Sequence, residues 1–173
     1  MTVSLAINLI RLDGGTQPRA EVNGPTVADY AEDMLAGASF PPVTVFYDGA
    51  HYWLADGFHR CRATANIGRT HIEADLHQGQ QRDAILFSCG ANVAHGMRRT
   101  SEDKRRAVNR MLSDPEWSQW SDTRIASICG VDKSTVGRLR AAASPAEQPV
   151  QRTYVNRHGN TTVMQIDGIA QSN

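Results

Sequence analysis

Cysteine is scarce and scattered in this chain. The three, Cys61, Cys89 and Cys129, form no CxxC pair. An odd, dispersed set argues against a disulfide framework and for a reducing compartment, here the cytoplasm. Long apolar runs are missing too. None approaches the roughly 18 residues a membrane span needs, so no membrane partner is expected. The opening MTVSLAINLIRLDGG has neither a basic n-region nor a small-residue cleavage site, and no secretion signal is expected. His51, His71 and His77 lack metal-ligand spacing. No carboxylate cluster has the spacing of a metal-dependent nuclease, so no metal site is expected. There are no internal repeats.

What is present is ordinary in bulk. The chain has 173 residues, 40% apolar and 21% charged, enough for one mid-sized domain or two small ones. Net charge is zero, but the charge is unevenly placed. Between Arg98 and Arg140 ten Lys/Arg face six Asp/Glu, leaving +4 there and −4 elsewhere. A neutral chain with one basic segment is expected to carry a localised anion-binding face.

The local pattern alternates strands and helices up to about residue 94. Leu5–Leu12 reads as a strand, and Thr26–Leu35 as a helix with Thr26 as N-cap candidate. Val43–Tyr47 and His51–Ala55 read as a hairpin around Asp48-Gly49. Phe58–Ile67 reads as a helix, Thr70–Leu76 as a strand and Gln81–Ala94 as a helix. Thr100 and Asp103 form a capping box before the amphipathic run KRRAVNRML, which Asp114-Pro115 stops. Ser121–Ala143 holds two short helices. A linker follows, and Arg152–Ile166 reads as a hairpin turning at His158-Gly159-Asn160. The expected domains are residues 1–97, a helical block at 98–143, a linker at 144–152, and a small hairpin and tail at 153–173.

The segment DTRIASICGVDKSTVGRLR, Asp122–Arg140, carries the pattern of a helix-turn-helix. Ala126 is small where two helices would touch. Gly130 makes the tight turn four residues later, and Val131 plugs the core. Ile125, Ile128, Val136 and Leu139 supply the other buried positions. The second helix opens at Ser134 and Thr135, with Lys133, Arg138 and Arg140 expected to face outward. In such a motif the second helix enters the major groove of double-stranded DNA. The candidate DNA-binding residues are Arg105, Arg106, Arg124, Lys133, Ser134, Thr135, Arg138 and Arg140. Lys133 and Thr135 are expected to read bases, and Arg105 and Arg106 to contact phosphate.

A second motif is DGFHRCRA, Asp56–Ala63, at a strand-to-helix junction. Gly57 lets backbone approach a ligand, the helix N-terminus offers N–H groups, and His59 and Arg60 add donors. That chemistry suits a phosphate.

The order Gln17-Pro18-Arg19, DGFHRCRA, GANVAHG and helix-turn-helix resembles the ParB family over roughly residues 5–140. The resemblance implies an α/β domain of the ParB/sulfiredoxin fold followed by an all-α helix-turn-helix block. It also implies a nucleoside triphosphate, CTP or ATP, at Gln17, Arg19, Gly57, His59, Arg60, Arg62, Asn92 and His95. Ala91 stands where the family has a Glu, and His95 where it has an Arg. Without that Glu a Mg²⁺ ion and an attacking water each lose a ligand, so hydrolysis is expected to be slow or absent. Sulfiredoxin, of the same fold, has a catalytic Cys where this chain has Phe58. Cys61 lies about one helical turn away, so sulfinic-acid reduction is not expected.

These readings converge on a ParB-like DNA-binding protein of a plasmid, phage or mobile element, modulated by nucleotide at Gly57–Arg60. A plain DNA-binding regulator, and an NTPase or nuclease of the same fold, are the alternatives. A homodimer is one assembly open to it.

Overall fold

The computed structural model describes residues 1–17, 22–91, 99–143, 151–155 and 160–165. The chain divides into two compact units, Met1–Ala91 and Asn92–Asn173.

The first unit is a five-stranded mixed sheet with three helices. The expected strand at Leu5–Leu12 is instead β1 (Thr2–Ala6), a 3-10 turn (Ile7–Leu9) and a short β2 (Ile10–Arg11). The break has a topological cause. β1 pairs antiparallel with β5 (His71–Gln78), and β2 pairs parallel with β4 (Tyr52–Asp56). β3 (Val43–Tyr47) lies between β5 and β4, giving the order β1-β5-β3-β4-β2. A single strand cannot serve both edges. Four spacings of about 4.8 Å would part the edges of a flat sheet by about 19 Å. The four steps from Ala6 to Ile10 span at most about 14 Å. The sheet therefore curls until one short turn can join its edges.

Alternation along β4 decides which helix covers which face. Leu54 joins Val43, Val45, Ala74, Phe58 and Cys61 in one apolar cluster. Its neighbours Trp53 and Ala55 point the other way, to Ala84. Ala84 belongs to α3 (Gln81–Gly90), and Phe58 and Cys61 to α2 (Phe58–Asn66). α1 (Gly24–Leu35) packs on α2 through Val27, Met34 and Ala63. Its N-cap is Asn23, not Thr26. The Asn23 Oδ1 accepts the Thr26 N–H at 2.9 Å, and Pro25 sits in the first turn where no donor is lost. α3 ends at Gly90, with Ala91 already extended; residues 92–94 of the expected helix lie outside the described residues.

The β3–β4 turn is held by one carboxylate. Asp48 accepts the backbone N–H groups of Ala50 and His51 at 2.8 and 2.7 Å and the Trp53 indole N–H at 2.7 Å. The Trp53 bond, then the two backbone bonds, hold its pKa down to about 2.

The second unit is built on α4 (Ser101–Leu112), a 3-10 turn (Trp117–Gln119), α5 (Asp122–Cys129) and α6 (Lys133–Ala143). The capping box is formed: Thr100 Oγ1 accepts the Asp103 N–H, and Asp103 Oδ2 accepts the Thr100 N–H. Val108, Met111, Ile125, Cys129 and Val136 are fully buried. A hairpin of β6 (Gln151–Val155) and β7 (Thr161–Gln165) completes the unit. Residues 144–150 of the expected linker and His158 and Gly159 of the expected turn lie outside the described residues; the last two linker positions, Gln151 and Arg152, already belong to β6.

Candidate nucleic-acid interface

α5 and α6 are joined by a turn that glycine makes possible. Gly130 has φ 61° and ψ 47°, the left-handed conformation, and its N–H bonds to the Ala126 carbonyl. The Val131 N–H also reaches Ala126 O, at 3.1 Å. Asp132 then starts α6, its carbonyl accepting from Thr135 and Val136. Ala126 is buried where the helices meet, and a Cβ on Gly137 would sit 3.4 Å from an Asp122 carboxylate oxygen. Small residues thus set how closely α6 approaches the start of α5.

Helical periodicity sorts the rest of α6. Val136 and Arg140, four apart, face inward. Lys133, Ser134 and Arg138 are exposed and Thr135 is half-buried. Ser134 and Arg138 share one outward face. On α4, Arg105 and Arg106 are exposed. Arg124 is half-buried, its guanidinium 3.6 Å from the centre of the Trp120 ring.

Arg140 is a correction. It does not face outward; it is 5% exposed. Nε donates to Asp122 Oδ1 at 2.9 Å, and the terminal nitrogens donate to the carbonyls of Ser118 and Trp120. A guanidinium whose donors are spent on three internal acceptors ties the end of α6 to the start of α5. No spacing rule connects positions 122 and 140, so the sequence carried no signal of it. Arg99 was missed for the same reason. It is buried, and its Nη1 donates to Cys129 O at 3.2 Å, placing a cation at the C-terminus of α5.

The DGFHRCRA junction has the expected backbone. Gly57 has φ 96° and precedes α2 as a cap without a side chain. A Cβ there would lie 2.5 Å from Val43 Cγ1, so both conformation and space demand glycine. The side chains differ from expectation. Arg60 Nη2 pairs with Asp56 at 2.9 Å, and Nη1 donates to the carbonyls of Pro41 and Pro42. His59 is buried, and its Nε2 accepts the Asn23 N–H at 3.1 Å. Both residues brace the loops around α2. Arg62 is exposed, and Gln17 is half-buried. Arg19, Asn92 and His95 lie outside the described residues, as does the rest of the third box beyond Ala91. Among the described residues no group of three or more His, Cys, Asp or Glu could hold a metal ion. No described helix is long and apolar enough to cross a membrane.

This architecture recurs in a solved structure. The C-terminally truncated chromosome-partitioning protein ParB from Caulobacter crescentus, complexed to the centromeric parS site, superposes with a TM-score of 0.55 at 16% identity. The match covers 82% of this chain and 72% of that one. The chain has the ParB-like fold. Two curated proteins are similar in sequence to this ParB-like chain. One, the "Streptomycin biosynthesis operon possible regulatory protein" of Streptomyces griseus, is 32% identical over 124 residues, 72% of this chain and 34% of that protein. The other, "Transcriptional regulator NovG" of Streptomyces niveus, is 31% identical over 105 residues, 60% of this chain and 31% of that protein. The chain thus spans about a third of the length of these relatives. No family model matches it.

Proposed function

We propose that this chain is a sequence-specific binder of double-stranded DNA with a regulatory role, and that α6 is its base-reading helix. One observation carries the reading: α6 follows α5 through a left-handed Gly130 turn and exposes Lys133, Ser134 and Arg138 while burying Val136. A helix with that inner and outer division can enter a major groove without exposing core. Ser134, Thr135 and Lys133 lie at its N-terminal end, where base edges are met. Arg105 and Arg106 on α4 suit phosphate contacts. Arg140 is absent from this interface because its donors are used inside the unit. The names of the two Streptomyces relatives support regulation over partition, and the parS complex of the Caulobacter neighbour supports duplex DNA as the partner. The test is selection of duplexes from a random pool, followed by binding with Thr135→Ala and with Arg105→Ala/Arg106→Ala. Thr135→Ala should alter the selected sequence, and the Arg pair should lower affinity evenly across sequences. The reverse pattern would contradict the assignment.

A nucleotide role for the first unit is the second reading. It is favoured by α2 opening on a glycine, which leaves its first-turn N–H groups without a side-chain cap. On this reading the backbone of Gly57–Arg60 holds the phosphates and the exposed Arg62 supplies charge. Arg60 and His59 position the loop rather than grip the ligand.

A further inference from the structure

The β6–β7 hairpin follows the helix pair in sequence. An isolated two-stranded hairpin is marginal in water, so its attachment matters. Among the described residues it is attached to the Gln119–Ser121 segment. The Ser121 N–H donates to Thr153 O at 2.8 Å, and Thr153 Oγ1 donates to Gln119 O at 3.3 Å. Trp120 and Thr153 form an isolated parallel bridge. The same short stretch is also gripped by α6, because Arg140 donates to Ser118 O, Trp120 O and Asp122. Hairpin and α6 are therefore fixed to one five-residue segment, Ser118–Asp122, within one unit. The described hairpin residues, 151–155 and 160–165, contain no Asp or Glu but include Arg152, Asn160, two glutamines and three threonines. Among the described residues Asn160 and Thr161 are exposed, and Val163 is 55% exposed. A ribbon free of carboxylates, rich in hydroxyl and amide donors and hydrogen-bonded to the segment that leads into α5, fits a phosphate backbone. A two-stranded ribbon is also narrow enough to lie along a groove.

We propose that the β6–β7 hairpin is a second DNA-contacting element, which grips the duplex in the stretch flanking that read by α6. This rests on the reading of α6 as the base-reading helix. The two are separable by experiment on the full chain bound to its selected duplex. Hydroxyl-radical footprinting of the wild type should show a central protected tract and a flanking one. Thr161→Glu/Val163→Glu places two carboxylates on the exposed face of β7. It should erase the flanking tract, keep the central one and weaken binding about tenfold by phosphate repulsion. Lys133→Ala/Arg138→Ala should weaken the central tract. A folded Glu variant with unchanged affinity and footprint overturns the hairpin proposal and leaves α6 standing. An unchanged central tract in the α6 variant overturns both. A Glu variant that keeps its footprint but loses self-association in sedimentation assigns the hairpin to a second copy and overturns the proposal. Should the Glu variant fail to fold, Thr161→Cys carrying a photoreactive maleimide answers the question. The native cysteines are all buried, so labelling is selective. Crosslinking to duplex supports the proposal, and its absence at saturating DNA overturns it.

Discussion

Arg140→Met removes the guanidinium but keeps an unbranched side chain in its place. Three acceptors then lose their donor: the Asp122 carboxylate and the carbonyls of Ser118 and Trp120. The Arg140 and Asp122 side chains are 6% and 12% exposed, so water cannot replace what is lost. Breaking a buried pair by removing one partner costs about 3–5 kcal/mol, because the remaining charge is stranded. A unit of this size has a total stability of roughly 5–10 kcal/mol. At about 4 °C or more per kcal/mol, the melting point of the second unit should fall by about 12 °C or more. Trp117 and Trp120 report this unit and Trp53 the other, so unfolding is followed by fluorescence with Trp53→Phe as background. Arg140→Met/Asp122→Asn should be less destabilised than the two single changes added together, since no charge is then stranded. Where the variant stays folded, the salt dependence of DNA binding should be unchanged, as Arg140 contacts no phosphate. A loss of stability under about 0.5 kcal/mol would refute the buried-pair argument. A reduced salt slope would return Arg140 to the DNA surface.

Four further outcomes follow from the first unit. Gly57→Ala forces a side chain into a left-handed backbone and within 2.5 Å of Val43 Cγ1; it should cost about 2–5 kcal/mol in urea unfolding, and wild-type stability would contradict the tight turn. Asp48 titrates at about 2 in the folded chain, below its unfolded value of about 3.9, so its stabilisation is present above about pH 4 and lost as pH falls toward 2. Asp48→Asn should therefore destabilise at pH 7 and make little difference at pH 2, and a pH-independent difference would refute the assignment. Calorimetry with CTP and with ATP, each with and without Mg²⁺, should detect binding and little turnover. Arg60→Gln should lower the melting point even without nucleotide, because it releases Asp56 and the Pro41 and Pro42 carbonyls; absence of heat with either nucleotide at millimolar concentration removes the phosphate site.

Legibility in the sequence followed the range of each interaction. The Thr100–Asp103 box and the Ala126–Gly130–Val131 turn are set by neighbours within five residues, and both are read directly from spacing. The hairpin of Val43–Tyr47 and His51–Ala55 is likewise read from its local Asp48-Gly49 turn signal, whereas which helix covers which face of β4 is not. What was not legible depends on distant partners. The split of the first strand at Ile7–Leu9 follows from which edges β1 and β2 join, information that lies in β4 and β5. Arg140 looked like one more cation on a basic helix, and only its approach to Asp122 and Trp120 shows it spent inside. Arg60 and His59 carried the composition of a phosphate site. The Asp56–Arg60 pair lies within local reach, but the bonds to the proline carbonyls and to Asn23 cross 18 to 36 residues, and no local pattern encodes those.

The central claim is that the outward face of α6 meets DNA phosphates and bases. It is tested most directly by the slope of log K against log salt concentration for the selected duplex. Each phosphate contact contributes about −0.9 to that slope. Lys133→Ala/Arg138→Ala, both at exposed positions, should make the slope shallower by about 2 while the melting point stays within a few degrees. A folded double variant with the wild-type slope and affinity would contradict the account.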